Sequence, residues 1–227
     1  MTAINIIQKS AEILVMADGL GYDARGGPSQ AVTKMAMLPH IPLLVAVRGH
    51  GSIAHLIVAK FATEKRTGFD AFLEFLAGFA REVIPQTNTH FGTPDFPHEI
   101  HAVGFSESRG RLESHFLATS DAYVNRGRGA YTLHTEDEPM VASPQPSEEA
   151  ITAARFVCPP VRKFDPSDHG VRLMDAQRRT YPDKIGGFLQ LARVTREGIS
   201  SRIIHRWPDE IGKRLAPEAS LDGMVGS

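Results

Sequence analysis

The chain has 227 residues, of which 42% are hydrophobic and 22% charged; that is enough apolar material for one large folded domain with its own core, and it excludes global disorder. Lys and Arg number 25 against 26 Asp and Glu, a net charge of −1, so no bulk electrostatic attraction draws the protein to nucleic acid or an anionic membrane, and neither partner is expected. The single cysteine, Cys158, excludes an internal disulfide and a multi-cysteine metal site. The longest apolar runs are too short to span a bilayer, and the first residues lack the basic start and apolar core of a secretory signal. A reducing cytoplasm is the expected compartment.

In chain order, residues 4–7 and 12–17 read as two apolar strands joined by a tight turn at Lys9, Ser10 and Ala11. Gly19, Gly21, Gly26, Gly27 and Pro28 mark a loop. Residues 32–38 and 43–47 form a second strand pair. These strands are apolar nearly throughout, which predicts sheets covered on both faces. The period then changes. Ile53, Leu56, Ile57 and Phe61 recur at helical spacing, and Phe69, Phe72, Leu73, Leu76, Ala80 and Val83 repeat it, with Pro85 as the expected stop.

Strands resume over residues 100–105 and 112–117 around a turn at 107–110. Residues 130–133 are a short strand candidate, and 137–150 read as an exposed loop. Residues 150–157 fit either helix or strand. A helix capped at Ser167 and Asp168 runs to Arg179. Gly186 and Gly187 precede a last hairpin, 188–195 and 199–204, turning at Glu197 and Gly198. Residues 209–227 read as a flexible tail, and the whole of 1–227 as one domain. The order suits an α+β fold: a four-layer αββα sandwich of two antiparallel sheets flanked by helices.

Three residues near the front carry chemistry. Thr2 follows the initiator Met; its small side chain is compatible with removal of Met1, which would place a free α-amine beside the hydroxyl. Such an amine has a pKa of about 7.7–8.0, so it supplies the base that a threonine nucleophile lacks. Asp18 ends the first buried hairpin. Lys34 lies in an apolar stretch, where an unpaired ammonium is costly, and a carboxylate on a neighbouring strand would pair with it. Asp18 and Lys34 follow Thr2 by 16 and 32 positions.

This segment resembles the N-terminal third of a proteasome β-subunit, in the N-terminal-nucleophile hydrolase superfamily, which has a threonine, an aspartate and a lysine at those spacings. Ile13-Leu14-Val15-Met16-Ala17-Asp18-Gly19 and Val32-Thr33-Lys34-Met35 are similar to its strand patterns. Val45-Ala46-Val47-Arg48-Gly49 resembles the strand whose terminal glycine N–H forms the oxyanion hole, with Gly49 one residue later than an ungapped match. Val103-Gly104-Phe105-Ser106-Glu107 resembles a glycine-plus-acidic hairpin of the family. Asp183-Lys184-Ile185-Gly186-Gly187 resembles an Asp-x-x-Ser-Gly motif, with Gly186 in the serine position. The family's Gly-Ser-Gly segment has no counterpart, and residues 118–166 are unlike the family.

The resemblance implies a threonine peptidase or amidohydrolase with Thr2, Asp18, Lys34 and Gly49 as catalytic residues and no metal or organic cofactor. It also implies a peptide or amide substrate and a homo-oligomer, and leaves open a regulatory ATPase partner. The alternatives are a catalytically silent structural or assembly subunit on the same fold, and a small-molecule amidohydrolase.

The other candidates have plainer readings. His98 and His101 are spaced for opposite faces of a strand, so they read as surface histidines rather than metal ligands. His50 reads as a loop histidine, Cys158 as a packed thiol, and Trp207 as a lid on the core edge. Arg126 and Arg128 read as a solvated basic turn, and Arg172, Arg178 and Arg179 as a charged helix face.

Overall fold

The computed structural model describes residues 2–23, 26–38, 40–121 and 129–215. Among them are three antiparallel sheets and four α-helices, so the fold is mixed α+β. The strands are β1 (Ile4–Gln8), β2 (Ile13–Asp18), β3 (Leu20–Tyr22), β4 (Pro28–Ala31), β5 (Met35–Leu38), β6 (Leu43–Arg48), β7 (Glu99–Ser106), β8 (Arg111–Ala118), β9 (His134–Thr135), β10 (Met140–Ser143), β11 (Phe188–Val194) and β12 (Ile199–Arg206). The helices are α1 (Ile53–Ala62), α2 (Phe69–His90), α3 (Glu148–Ala153) and α4 (Val171–Thr180). One five-stranded sheet runs β10-β1-β2-β11-β12, the other β5-β6-β7-β8-β9, and β3 pairs with β4.

Alternation of apolar residues along each strand divides the core into three main clusters. Ile4, Ile6, Val15, Met35, Leu44, Ala46, Val103 and Val194 pack between strands of the two large sheets. Leu43, Val45, Val47, Ile100 and Leu117, on the opposite side of the second sheet, pack against Ile53, Ile57 and Phe61 of α1 and Phe69, Phe72 and Leu76 of α2. Ile7, Leu14, Met16 and Leu191, on the opposite side of the first sheet, pack against Val171 and Met174 of α4, with Phe164 and Trp207. The apolar central strands of the two large sheets are therefore covered on both faces, whereas β4 and the edge strand β12 are largely exposed.

The expectations for β1, β2, β6, β7, β8, β11 and β12 hold to within about two residues at either end. Several others are corrected. The glycine-rich stretch after Asp18 is a short hairpin, β3 and β4, rather than a loop. Residues 32–34 precede β5 instead of opening it. No strand forms at 130–133; the two-residue β9 begins just beyond it, at His134. Residues 140–143 are not an exposed loop: β10 pairs with β1, with Ile4 opposite Ser143, and Val141 and Ala142 are buried. A four-residue strand in a polar context carries too few apolar positions to show a period.

Pro85 does not end α2, which continues to His90. A proline removes one helical donor, and the helix spans it because Ile84 and Asn88 are buried on either side. The Thr87 and Thr89 hydroxyls donate to the Val83 and Pro85 carbonyls. Ahead of α4, a π-helical turn, Pro166–Gly170, is capped by Asp165, which accepts the Ser167 N–H; neither Ser167 nor Asp168 is the cap.

Gly104 and Glu107 of the β7–β8 hairpin have structural roles. A Cβ on Gly104 would overlap the Phe69 ring. Glu107 accepts the N–H groups of Phe69 and Asp70 at 2.8 and 3.1 Å, capping α2 from across the fold where Gly68 has no side chain to do so. Arg126 and Arg128 lie outside the described residues.

Candidate active site

Asp18 is the last residue of β2 and Lys34 lies one residue before β5. Both are buried, at 1% and 4% exposure. The Lys34 ammonium donates to both Asp18 carboxylate oxygens, at 2.9 Å to Oδ1 and 2.8 Å to Oδ2. Burial pulls the Lys34 ammonium below the usual lysine range, and the charge and hydrogen bonds of Asp18 oppose that shift.

Asp18 has further work. Its Oδ1 accepts the Ala3 N–H at 2.8 Å, and its Oδ2 accepts those of Gly186 at 3.2 Å and Leu20 at 3.4 Å. The Asp18 N–H in turn donates to the Ala3 carbonyl. Residue 3 is thus held to Asp18 by both of its backbone groups, and Thr2, 2% exposed, enters the fold directly beside the ion pair. Of the four expected site residues, Asp18 and Lys34 are in contact, and Thr2 is next in the chain to Ala3, whose backbone is bonded to Asp18.

Gly49 approaches from the other sheet. The Val47 N–H donates to the Lys34 carbonyl at 3.2 Å, and Gly49 lies two residues past that contact, just beyond the end of β6. Its φ is +157°, and a Cβ would overlap the His98 ring, so only glycine fits. Among the described residues nothing accepts a hydrogen bond from the Gly49 N–H.

Several neighbours were not legible in the sequence. Arg48 donates to Glu99 at 3.1 Å and to Ser143 at 3.4 Å, and Ser143 donates to Glu99 at 2.6 Å. This network ties β6, β7 and β10 together across the two sheets, at the end of β1 where Thr2 enters. His98 and His101 are not surface residues: their exposures are 0% and 1%. The even-numbered Ile100 and Ala102 face the helices, which turns His101 to the other side, against Phe116. Burial and the neighbouring His50 push His98 down to about 4. His50 is half-buried against Phe91 and Phe96 and pairs with Thr93 at 2.8 Å.

Arg178 is not part of a charged face. It is 1% exposed and pairs with Asp209 through two bonds of 2.8 and 3.0 Å, donates to the Ile185 carbonyl, and lies 4.7 Å from the centre of the Trp207 ring. Asp209, in the segment read as a tail, is therefore well anchored, and Leu215 beyond it is buried; residues 216–227 lie outside the described set. The Arg178–Asp209 pair explains Gly186. A Cβ there would lie 2.5 Å from Asp209 Oδ2 and 2.6 Å from Arg178 Nη1, so a serine in this position would collide with the pair. Burial, with Asp18 next in effect, pushes the Tyr22 hydroxyl above its ordinary value. Cys158, expected to be packed, is exposed.

Among the described residues no cluster of His, Cys, Asp and Glu could hold a metal ion, and no helix is long and apolar enough to cross a membrane. Comparison with known proteins finds no family profile and no curated protein that matches the chain.

Proposed function

We propose that the protein is a threonine-type N-terminal-nucleophile hydrolase that cleaves amide or peptide bonds after removal of Met1, built on the four-layer αββα sandwich of that superfamily. The observation that carries the reading is the buried Lys34–Asp18 pair, whose Asp18 Oδ1 also accepts the Ala3 N–H, the amide next to Thr2. A lysine sealed at 4% exposure, with a carboxylate anchored by three backbone N–H groups, is a costly arrangement for stability alone. It is well suited to hold a cation against a hydroxyl that must ionise.

In this mechanism the Thr2 Oγ1 attacks the carbonyl carbon, and its proton passes to the Thr2 α-amine, directly or through water. Lys34 favours the alkoxide, Asp18 holds Lys34, and the Gly49 N–H stabilises the oxyanion. The amine returns the proton to the leaving nitrogen as the C–N bond breaks. Water then hydrolyses the Thr2 ester. No metal or organic cofactor enters the scheme. A homo-oligomer and a cytoplasmic location accompany the reading, because the superfamily members it resembles form rings around their active sites.

One observation favours a second reading, a silent structural or assembly subunit: the Arg178–Asp209 pair fills the space of the accessory serine at Gly186.

Intact mass and turnover separate the two. The hydrolase reading predicts a mass short by one methionine in protein from its native host, turnover of a fluorogenic peptide or small amide, and loss of that turnover in Thr2→Ala with the fold intact. Retained Met1 with no turnover refutes it in favour of the silent subunit. Turnover that survives Thr2→Ala refutes the assigned nucleophile.

A further inference from the structure

The turn from β6 into α1 contains Gly49 and Gly51, two residues that loosen a backbone. A histidine braces it. His98, fully buried, packs where a Gly49 side chain would be, and its Nδ1 accepts the His50 N–H in a long bond of 3.4 Å.

The tautomer follows from the neighbours. The Asn88 Nδ2 donates to the Phe96 carbonyl at 2.8 Å, which orients the amide and turns Oδ1 toward His98 Nε2, also at 2.8 Å. An amide oxygen only accepts, so Nε2 carries the proton and Nδ1 keeps the lone pair that meets His50. The relay runs from the Phe96 carbonyl through Asn88 and His98 to the His50 N–H. The backbone of His98 is itself fixed, because its N–H donates to the Thr119 hydroxyl and its carbonyl accepts the Thr119 N–H. On the other side of Gly49, Arg48 is held by strand pairing with Glu99 and by its ion pair with the same residue.

We propose that Asn88 and His98 are positioning residues that hold Gly49 and the turn after it, so that the Gly49 N–H is fixed in place to stabilise the oxyanion. This inference rests on the hydrolase reading above. An oxyanion donor is worth about 10²–10³ in rate when it is aimed before the reaction begins, and a glycine turn without a brace would have to be ordered in the transition state.

The brace works only with His98 singly protonated, since a doubly protonated ring has no lone pair for the His50 N–H. His50 is the titratable side chain facing it, from the turn itself. The uncharged Asn88 faces it from α2, Phe96 from the segment before β7, and Thr119 from the end of β8.

The test is Asn88→Asp, which puts a carboxylate against Nε2 and favours the doubly protonated ring. Histidine ¹⁵N spectra and peptide hydrolysis are followed against pH in both proteins. The wild type is expected to show a proton on His98 Nε2 and a lone pair on Nδ1. In the variant, His98 should gain its second proton at least about one pH unit higher. The ratio of variant to wild-type kcat, in which the shared titration of the Thr2 amine cancels, should fall about 10- to 100-fold over the pH range where His98 gains that proton, with KM changed less than about twofold. His98→Gln, which can both accept from His50 and donate to Asn88, should keep more kcat than His98→Leu.

A wild-type proton on Nδ1 overturns the inference. So does a ratio of Asn88→Asp to wild-type kcat that stays flat with pH when the spectra show His98 shifted, or equal kcat in the two His98 variants; in both cases the hydrolase reading stands. Wild-type protein lacking Met1 that hydrolyses no peptide or small amide overturns the hydrolase reading, and the inference with it.

Discussion

Lys34 and Asp18, 16 residues apart, make a two-pronged ion pair of 2.8 and 2.9 Å in a site nearly closed to water. The two partners depend on it unequally. Without Lys34, Asp18 still accepts three backbone N–H groups; without Asp18, the Lys34 ammonium has no other partner among the described residues. Breaking a buried pair costs about 3–5 kcal/mol when one charge is stranded. Asp18→Asn is therefore expected to fall in that range at pH 7, and Lys34→Met to cost less. Urea unfolding of both variants measures the difference, and the opposite order would contradict this account.

His98 makes stability depend on pH. Its folded value of about 4 lies below the ordinary 6.5, so in that window the unfolded chain binds a proton that the folded chain does not. Stability is then fully present above about pH 6.5 and is lost progressively as pH falls toward 4, by about 3 kcal/mol in total. His98→Gln, which cannot titrate, should flatten that part of the profile. Equilibrium unfolding at pH 7, 5.5 and 4.5 reads the slope, and an unchanged slope in the variant would assign the loss to other groups.

Gly186→Ser restores the residue of the resembled motif but meets Asp209 and Arg178. Overpacking of this kind costs about 1–3 kcal/mol, and no gain in hydrolysis is expected. The cost should shrink when Asp209→Ala is added, because part of the obstruction is then gone. Thermal unfolding of the two single variants and the double variant measures that coupling.

Glu107 caps α2 from another element. Glu107→Ala should destabilise by about 1 kcal/mol, as the loss of a helix cap does. Glu107→Gln keeps an accepting oxygen but gives up the charge at the positive end of the helix, so it should lie between the two. Denaturation midpoints at low salt rank the three.

The candidate site was partly legible. Thr2, Asp18 and Lys34 stood out because a hydroxyl, a carboxylate and an ammonium in apolar surroundings call for one another, and the structure brings Asp18 and Lys34 into contact beside Thr2. Arg178 and His98 were not legible. Each is an ordinary polar residue in a polar stretch of chain, and each is buried by a partner far away in sequence: Asp209, 31 positions on, for Arg178, and the glycine turn at residues 49–50, 48 positions back, for His98. Pro85 misled for a similar reason, since the rule that a proline stops a helix is local, whereas Ile84 and Asn88 are anchored by the rest of the fold.

The sequence by itself determined the long elements, because apolar runs bounded by turn residues mark β1, β2, β6 and β11, and a period of 3.6 is written in the apolar residues of α1 and α2. Only the tertiary structure decided which polar residues are interior. Burial of a charge depends on whether a partner arrives from elsewhere, and that is a property of packed elements rather than of any one stretch of chain. Tertiary packing also decided why Gly49 and Gly186 must be glycines: His98 occupies the space beside the first, and Asp209 and Arg178 the space beside the second.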